Sequence, residues 1–142
     1  MTLFKFFREL FTKVSFANYR PSDKILAARV LDVQKHPNAD RLRVVKANIG
    51  SKVIEPIVCG AFNFEAGDMV VLALPGAGIA QNIHTDTHEP FVLQKAKIRG
   101  VESQGMICAA FELGLADTPG QGIVLLKTDT KPGSQFSPDM IK

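Results

Sequence analysis

The sequence has no tryptophan and one tyrosine, so ten phenylalanines supply nearly all of its aromatic residues. It also lacks any apolar run of about 18 residues, the length that a membrane-spanning helix requires. A secretory signal is missing too, because Arg8, Glu9 and Lys13 interrupt the apolar segment that such a signal needs. We therefore expect a cytoplasmic protein that does not associate with membranes.

Cysteine is scarce, and the sequence offers no recognisable catalytic group. The two cysteines, Cys59 and Cys108, both lie among apolar residues. Such thiols are expected to be buried and reduced, with a redox pair as the alternative. His84, Asp86 and His88 have the close spacing of metal ligands, but no cysteine lies near them in sequence to complete a ligand set. We expect no catalysis by this chain alone, no cofactor and no metal.

The chain divides by composition into four parts. Its 142 residues are enough for one domain, and a net charge of +3 permits an anionic partner without requiring one. Residues 1–17 have the pattern of an amphipathic helix, which is expected to pack on the domain, on a second subunit or on a membrane surface. A polar linker (18–24) precedes the main domain (25–133), and a C-terminal tail (134–142) is expected to lie along that domain or to fray.

From residue 25 onwards the hydrophobic pattern has the period of strands. Residues 25–33 are almost continuously apolar, which is typical of a strand covered on both faces. Residues 42–49 alternate and then change phase at Val44 and Val45, which suggests a bulge. Many short strands separated by turns favour an all-β sandwich or barrel. The shorter runs lie at 57–59, 69–74, 91–99, 105–109 and 123–126.

A basic turn follows the first predicted strand. Pro37 keeps His36 out of the helical region, and Asn38 and Asp40 favour a tight reversal of the chain. In an OB barrel this is the loop between strands 1 and 2, one of the two loops that hold oligonucleotides. A solvated hairpin with incidental charge is the alternative. The cations around the turn are Lys35, Arg41 and Arg43.

A second basic group lies later in the chain. Lys95, Lys97 and Arg99 alternate with apolar residues, so three cations are expected to leave one face of a strand. Like charges on one face do not stabilise a sheet, whereas a phosphate backbone lying across them would neutralise all three. A solvated edge strand protected by lysine is the alternative. Just after this group, Ser103 offers a hydroxyl to nucleotide edges and Met106 an apolar side chain to a base.

Five segments occur in an order that resembles one known family. They are HPNADRL (36–42), IVCGAFN (57–63), ALPGA (73–77), AKIRGVESQGMICA (96–109) and ELGL (112–115). In this order they resemble the tRNA-binding domain family, whose members are appended to phenylalanyl- and methionyl-tRNA synthetases or stand alone. The second and fourth segments look most like the copy in the beta subunit of bacterial phenylalanyl-tRNA synthetase.

The resemblance implies an all-β fold, a five-stranded OB barrel with additional short strands, to which the amphipathic helix is attached. It implies a non-catalytic accessory element that grips structured tRNA, and leaves open whether this chain is a fragment of a longer beta subunit. The expected partner is tRNA, with a homodimer or synthetase subunits as further partners to consider. The family's RNA-facing positions correspond to Lys35, Asn38, Arg41, Arg43, Lys95, Lys97, Arg99, Ser103 and Met106.

The chain departs from the family pattern at three places. Cys108 is followed by the apolar segment Ala-Ala-Phe (109–111) where polar residues are usual, which suggests a surface buried by a partner. Phe62 stands where proline is usual, and the loop at 78–90 is longer than usual. The apolar segment and the amphipathic helix (1–17) together keep a second function open, that of a subunit-assembly or dimerisation module with little RNA binding.

Overall fold

The computed structural model describes residues 22–120 and 122–142, so the expected helix (1–17) and most of the expected linker (18–24) lie outside the described residues. The described chain is all-β, as expected, and ends with a short 3-10 helix at Pro138–Met140. None of its helices is long and apolar enough to cross a membrane. The strands are β1 Ile25–Lys35, β2 Arg43–Asn48, β3 Val53–Cys59, β4 Met69–Ala73, β5 Gly78–Ile79, β6 Phe91–Val92, β7 Ala96–Ile98, β8 Val101–Ser103, β9 Met106–Ile107 and β10 Leu125–Leu126.

One curved sheet forms the body of the fold. β1 lies at its centre and pairs antiparallel with β2 on one side and β4 on the other, while β3 extends the sheet beyond β2. β9 and β10 share the other edge of β4. The segment that leads into β9 also reaches β3, because the Gln104 N–H donates to the Pro56 carbonyl. The sheet therefore closes on itself as a barrel, which confirms the expected fold class.

β4 separates two apolar cores. All five of its residues, Met69–Ala73, are buried, so this strand is covered on both faces. Successive side chains of a strand point to opposite faces. Val70 and Leu72 accordingly join a cluster with β2 and β3 that fills the barrel, whereas the other three join a second cluster outside it.

The C-terminal segment covers this outer cluster rather than fraying. Phe136 is 1% exposed and belongs to the outer cluster. Its backbone N–H donates to the Ile25 carbonyl (2.9 Å), and Gln135 forms an antiparallel bridge with Leu26. Residues 134–136 therefore pack along β1, and the end of the tail packs along β10, where Ile141 forms an antiparallel bridge with Leu126 and the Lys142 N–H donates to the Leu125 carbonyl (3.0 Å).

The apolar segment at 109–111 is covered by the chain itself, which corrects the expectation that a partner covers it. Phe111 is 1% exposed, and the ring of His88 meets it edge-on at 4.9 Å between centroids. Gln81 Nε2 donates to the carbonyls of Phe111 (2.9 Å) and Ala116 (3.1 Å). The long loop at 78–90 thus folds back over this segment. The assembly function was expected to use this segment together with the helix at 1–17, which lies outside the described residues, and with the segment covered that function is not supported.

Two strand predictions differ from the structure. The run at 91–99 is divided between β6 and β7, which belong to different two-stranded sheets and are separated by residues 93–95, and a turn begins at Arg99. The bulge expected within β2 lies instead in its two neighbours: β3 has one extra residue between Ile54 and Ile57, opposite Val45–Ala47, and β1 has another. Val30 pairs with Ala47 and Asp32 with Lys46, so Leu31 is the extra residue. A bulge bends the strand that carries it, which suits a sheet that closes into a barrel.

Candidate nucleic-acid interface

A buried histidine holds the turn that follows β1. His36 is 2% exposed, and its backbone N–H donates to the Leu42 carbonyl (3.1 Å) at the base of the turn. Its Nδ1 accepts from the Asn38 N–H (2.9 Å), and its Nε2 donates to the Ile98 carbonyl (3.0 Å). One tautomer, with its proton on Nε2, makes both side-chain bonds, because a carbonyl oxygen can only accept. His36 therefore ties the loop at 36–42 to β7.

The hairpin of β7 and β8 is the partner of this loop. Ile98 pairs with Val101, so Arg99 and Gly100 form a two-residue turn. Both have positive φ angles, 52° and 93°, as a type I′ turn requires. Asn38 Nδ2 donates to the Arg99 carbonyl (3.1 Å). The neighbouring carbonyls of Ile98 and Arg99 are thus both held by the preceding loop, which joins loop and hairpin into one surface.

We call residues 35–42 and 95–100 the loop–hairpin surface. Lys35 is exposed there and pairs with the exposed Asp40 (3.3 Å), so its charge is partly neutralised. The remaining cations of this surface are exposed and take part in none of the ion pairs found in the described part of the chain. They are Arg41, Lys95, Lys97 and Arg99.

The three cations of the hairpin do not share one strand face, which corrects the expected row. Arg99 lies in the turn, where its left-handed backbone breaks the alternation of the strand. Lys95 precedes β7, so Lys97 is the member that lies within the strand. Glu102 lies directly opposite Lys97 in the hairpin, an arrangement of charges that favours pairing. The positive charge is therefore distributed around the hairpin tip.

Arg43 is part of the framework, in contrast to the expectation that it faces RNA. Its side chain is 12% exposed. Nη2 donates to the carbonyls of Ala61 (3.1 Å) and Phe64 (2.9 Å), and Nη1 lies 3.4 Å from a carboxylate oxygen of Glu65. The guanidinium also lies over the rings of Phe62 and Phe64, 4.8 and 4.5 Å from their centroids. Its hydrogen bonds and its charge are thus used to hold the segment at 61–65.

Ser103 is likewise engaged inside the protein. It is 4% exposed, and its Oγ accepts from the Val58 N–H (2.9 Å) and donates to the Gly105 carbonyl (2.8 Å). The hydroxyl of Ser103 thus joins β3 to the turn before β9, and its contact with a nucleotide stays a prediction. Met106 is partly exposed and packs against the outer core, so a role at RNA stays a prediction for it.

The buried titratable groups are not suited to nucleophilic chemistry. Cys59 and Cys108 are buried and unpaired, as expected for reduced thiols. Burial raises the pKa of both thiols, that of Cys108 well above its ordinary value, so neither ionises readily. Burial also raises the pKa of Glu112, whose Oε1 accepts from the Ala109 N–H (2.8 Å). Across residues 22–120 and 122–142, no cluster of His, Cys, Asp and Glu is placed to hold a metal ion.

Two features of the site were missed by reasoning from the sequence. The role of His36 has no local signal, because its partner Ile98 lies 62 residues further along the chain. The cross-strand pairing of Lys97 with Glu102 did have a local signal in the sequence. A residue followed by glycine, Arg99-Gly100, between two short strand-like segments is typical of a two-residue hairpin turn.

The comparisons with known proteins agree with the fold. Residues 25–135 match the family described as "Putative tRNA binding domain". The chain belongs to this family. It is similar to the phenylalanine–tRNA ligase beta subunit of Bdellovibrio bacteriovorus, with 41% identity over 113 residues, and to that of Chlorobaculum tepidum, with 45% over 102 residues. These matches cover 80% and 72% of this chain but 13% and 12% of the beta subunits.

A shorter relative and a solved structure match as well. The "Putative tRNA-binding protein YtpR" of Bacillus subtilis is 41% identical over 116 residues, which cover 81% of this chain and 53% of that protein. The crystal structure of a MetRS-related protein from Pyrococcus horikoshii superposes with a TM-score of 0.56, covering 84% of this chain and 93% of that one. Sequence identity with it is 16%, so this likeness shows the fold alone.

Proposed function

We propose that this chain binds structured tRNA through the loop–hairpin surface. The observation that supports this proposal best is the pair of hydrogen bonds from His36 and Asn38 to the hairpin carbonyls. These bonds hold two basic segments side by side although they are far apart in sequence. Membership of the family supports tRNA as the partner.

The chemistry of this surface suits a phosphate backbone. Arg41, Lys95, Lys97 and Arg99 are exposed, so their charges are accessible to a ligand. A cation that neutralises a phosphate releases counterions from the nucleic acid, which favours binding and makes it depend on salt. Contacts to phosphates fix the position of a ligand but do not read its bases. The proposal is therefore recognition of tRNA by shape and charge, with little dependence on sequence.

The proposed role is that of an accessory binding element without catalysis of its own. The chain corresponds to 13% of the length of the Bdellovibrio bacteriovorus beta subunit, so the activity of such a subunit cannot be assigned to it. We infer that it acts in the cytoplasm, either in the context of a synthetase subunit or as a separate tRNA-binding protein. In either setting its contribution is affinity for tRNA.

Measuring tRNA affinity as a function of salt tests the proposal. If roughly three to five phosphates are engaged, log K plotted against log salt has a slope of about −2 to −4.5. Lys97→Ala and Arg41→Ala should each reduce the magnitude of the slope by about the contribution of one phosphate contact. Neither substitution should lower the melting temperature, because both side chains are exposed.

Lys131→Ala provides the matched control. Lys131 is exposed, and its neighbour Pro132 packs against Gly50 in the turn between β2 and β3, at the other end of β2 from the loop–hairpin surface. Its removal should change neither affinity nor slope. The proposal fails if tRNA affinity is independent of salt, or if an unstructured polyanion binds equally well. If Lys131→Ala weakens binding while Lys97→Ala does not, tRNA lies on a different face.

A further inference from the structure

A column of three side chains leads from the core to the exterior next to the loop–hairpin surface. Phe64, at its inner end, is 2% exposed. The guanidinium of Arg43 lies over the Phe64 ring and over the ring of Phe62, at 4.5 and 4.8 Å from the centroids. Phe62 is 56% exposed. The column therefore ends in an aromatic ring that contacts a cation on one side and is open to solvent elsewhere.

Phe62 differs in chemistry from the other large apolar residues exposed between 22 and 142, excluding the undescribed residue 121. Those are Leu31 at 42%, Val53 at 43% and Val92 at 56%, all of them aliphatic. An aliphatic side chain can shield a guanidinium from water, but an aromatic ring also offers a π-face to a ligand. The Phe62 ring does both: it makes a cation–π contact with Arg43, and the part of the ring that stays exposed is open to a ligand.

The column adjoins the loop that carries the exposed cations. Arg43 is the first residue of β2 and pairs with Cys59, so the segment after β3 starts beside the end of the loop at 36–42. A Cβ atom at Gly60 would lie 3.5 Å from Leu42 Cδ2 and 3.9 Å from the Arg41 carbonyl oxygen. Phe62 thus follows a segment packed directly against Arg41, whose own side chain is exposed.

We propose that the exposed ring of Phe62 is a stacking site for an unpaired base of the bound RNA. The proposal rests on the tRNA-binding function proposed above and adds a contact of a different kind to it. A base stacks on an aromatic ring whatever its identity, because every base has a π-face. The phosphates next to the stacked nucleotide then meet Arg41, so the two contacts act on the same stretch of RNA.

Phe62→Leu is the first test, because leucine keeps an apolar cover over Arg43 and removes the ring. Loss of one base–aromatic stack should weaken tRNA binding by about 5- to 150-fold. The salt slope should stay that of the parent, since no phosphate contact is removed. Val92→Ala is the control. It alters an apolar residue with the same exposed fraction on β6, and affinity should not change.

Phe62→Trp turns the site into its own reporter, because the chain has no other tryptophan. Stacking of a base on the indole should quench its fluorescence as tRNA is added, in parallel with binding followed by the anisotropy of labelled tRNA. Val92→Trp supplies the matched control at a residue that is also 56% exposed, and its emission should not respond. Phe62→Trp should bind tRNA at least as tightly as the parent.

The outcomes separate this inference from the function on which it depends. If the parent does not bind tRNA at all, the proposed function fails and the stacking site with it. If anisotropy reports binding while the indole emission of the Phe62→Trp variant is unchanged and Phe62→Leu binds like the parent, the function stands and the stacking site is wrong. The inference is also wrong if the emission of Phe62→Trp without RNA is that of a buried indole.

Discussion

Arg41 and Arg43 lie two residues apart, yet they occupy opposite kinds of environment. Arg41 is exposed in the loop and forms none of the ion pairs found in residues 22–120 and 122–142. Arg43 is 12% exposed, donates to two carbonyls and lies over two aromatic rings. The first charge is accessible to a ligand, whereas the second holds the protein together. A cluster of cations in a sequence can therefore combine both roles.

The alternation of β2 explains the difference. Side chains two residues apart on a strand share a face. Val45 and Ala47 are buried, so Arg43, the first residue of β2, points in the same direction at the end of the barrel. Buried charge must find hydrogen-bond partners, and the carbonyls of the segment at 61–65 supply them. Arg41 precedes the strand and is free of this constraint.

Replacing each arginine by alanine should give the largest contrast. Arg43→Ala leaves two carbonyls without their donor and removes the stacking partner of Phe64, so the free energy of unfolding should fall by about 3 kcal/mol. Arg41→Ala should change it by less than about 0.5 kcal/mol. Urea unfolding of both variants measures the two values. Equal effects on stability would remove the distinction between the framework and the loop–hairpin surface.

His36→Ala should have an intermediate effect that reaches both stability and binding. It removes a buried ring and its hydrogen bonds to Asn38 and Ile98, so the free energy of unfolding should fall by about 2 kcal/mol. Because the hairpin tip loses an anchor, tRNA affinity should also fall, although no RNA-facing cation is changed. His84→Ala, at an exposed histidine, is the control and should alter neither property. Parental tRNA affinity in a folded His36→Ala protein would show that the anchoring of the hairpin is irrelevant to binding.

Arg99→Asn should have a small effect on stability, and in the opposite direction to Arg43→Ala and His36→Ala. Arg99 has a φ of 52°, a conformation that asparagine tolerates better than arginine, and Asn-Gly is the favoured pair for this turn. The variant should be as stable as the parent or more stable by up to about 1 kcal/mol. The magnitude of the salt slope for tRNA binding should decrease by about the contribution of one phosphate contact. Thermal melts test the expected stability, and the salt titration tests the expected change in slope. Arg99→Lys is the control variant that keeps the charge. A clear loss of stability in Arg99→Asn would assign Arg99 to the framework, like Arg43.

Reasoning from the sequence recovered the local features of the fold and missed most of the contacts across it. The strands at 25–33, 42–49 and 69–74 were predicted because runs and alternation of apolar residues record which faces are buried. The end of β7 at Ile98 was missed because the alternation of Lys95, Lys97 and Arg99 continues into a turn, where it no longer reports a strand face. The burial of Ser103 was missed because its partner Val58 lies 45 residues away.

The sequence by itself determined the all-β class, the burial of both cysteines and the order of segments by which the chain is recognised as a family member, since these depend on local pattern. Tertiary structure decided which cations are available to a ligand. Arg43 and Arg99 are both basic residues in basic segments, but one lies over two phenylalanines and the other lies at a hairpin tip. The accessibility of a charge depends on what the folded chain brings next to it. Here the deciding contacts join segments that are far apart in sequence: Arg43 lies over Phe62 and Phe64, and Asn38 holds the hairpin turn at Arg99.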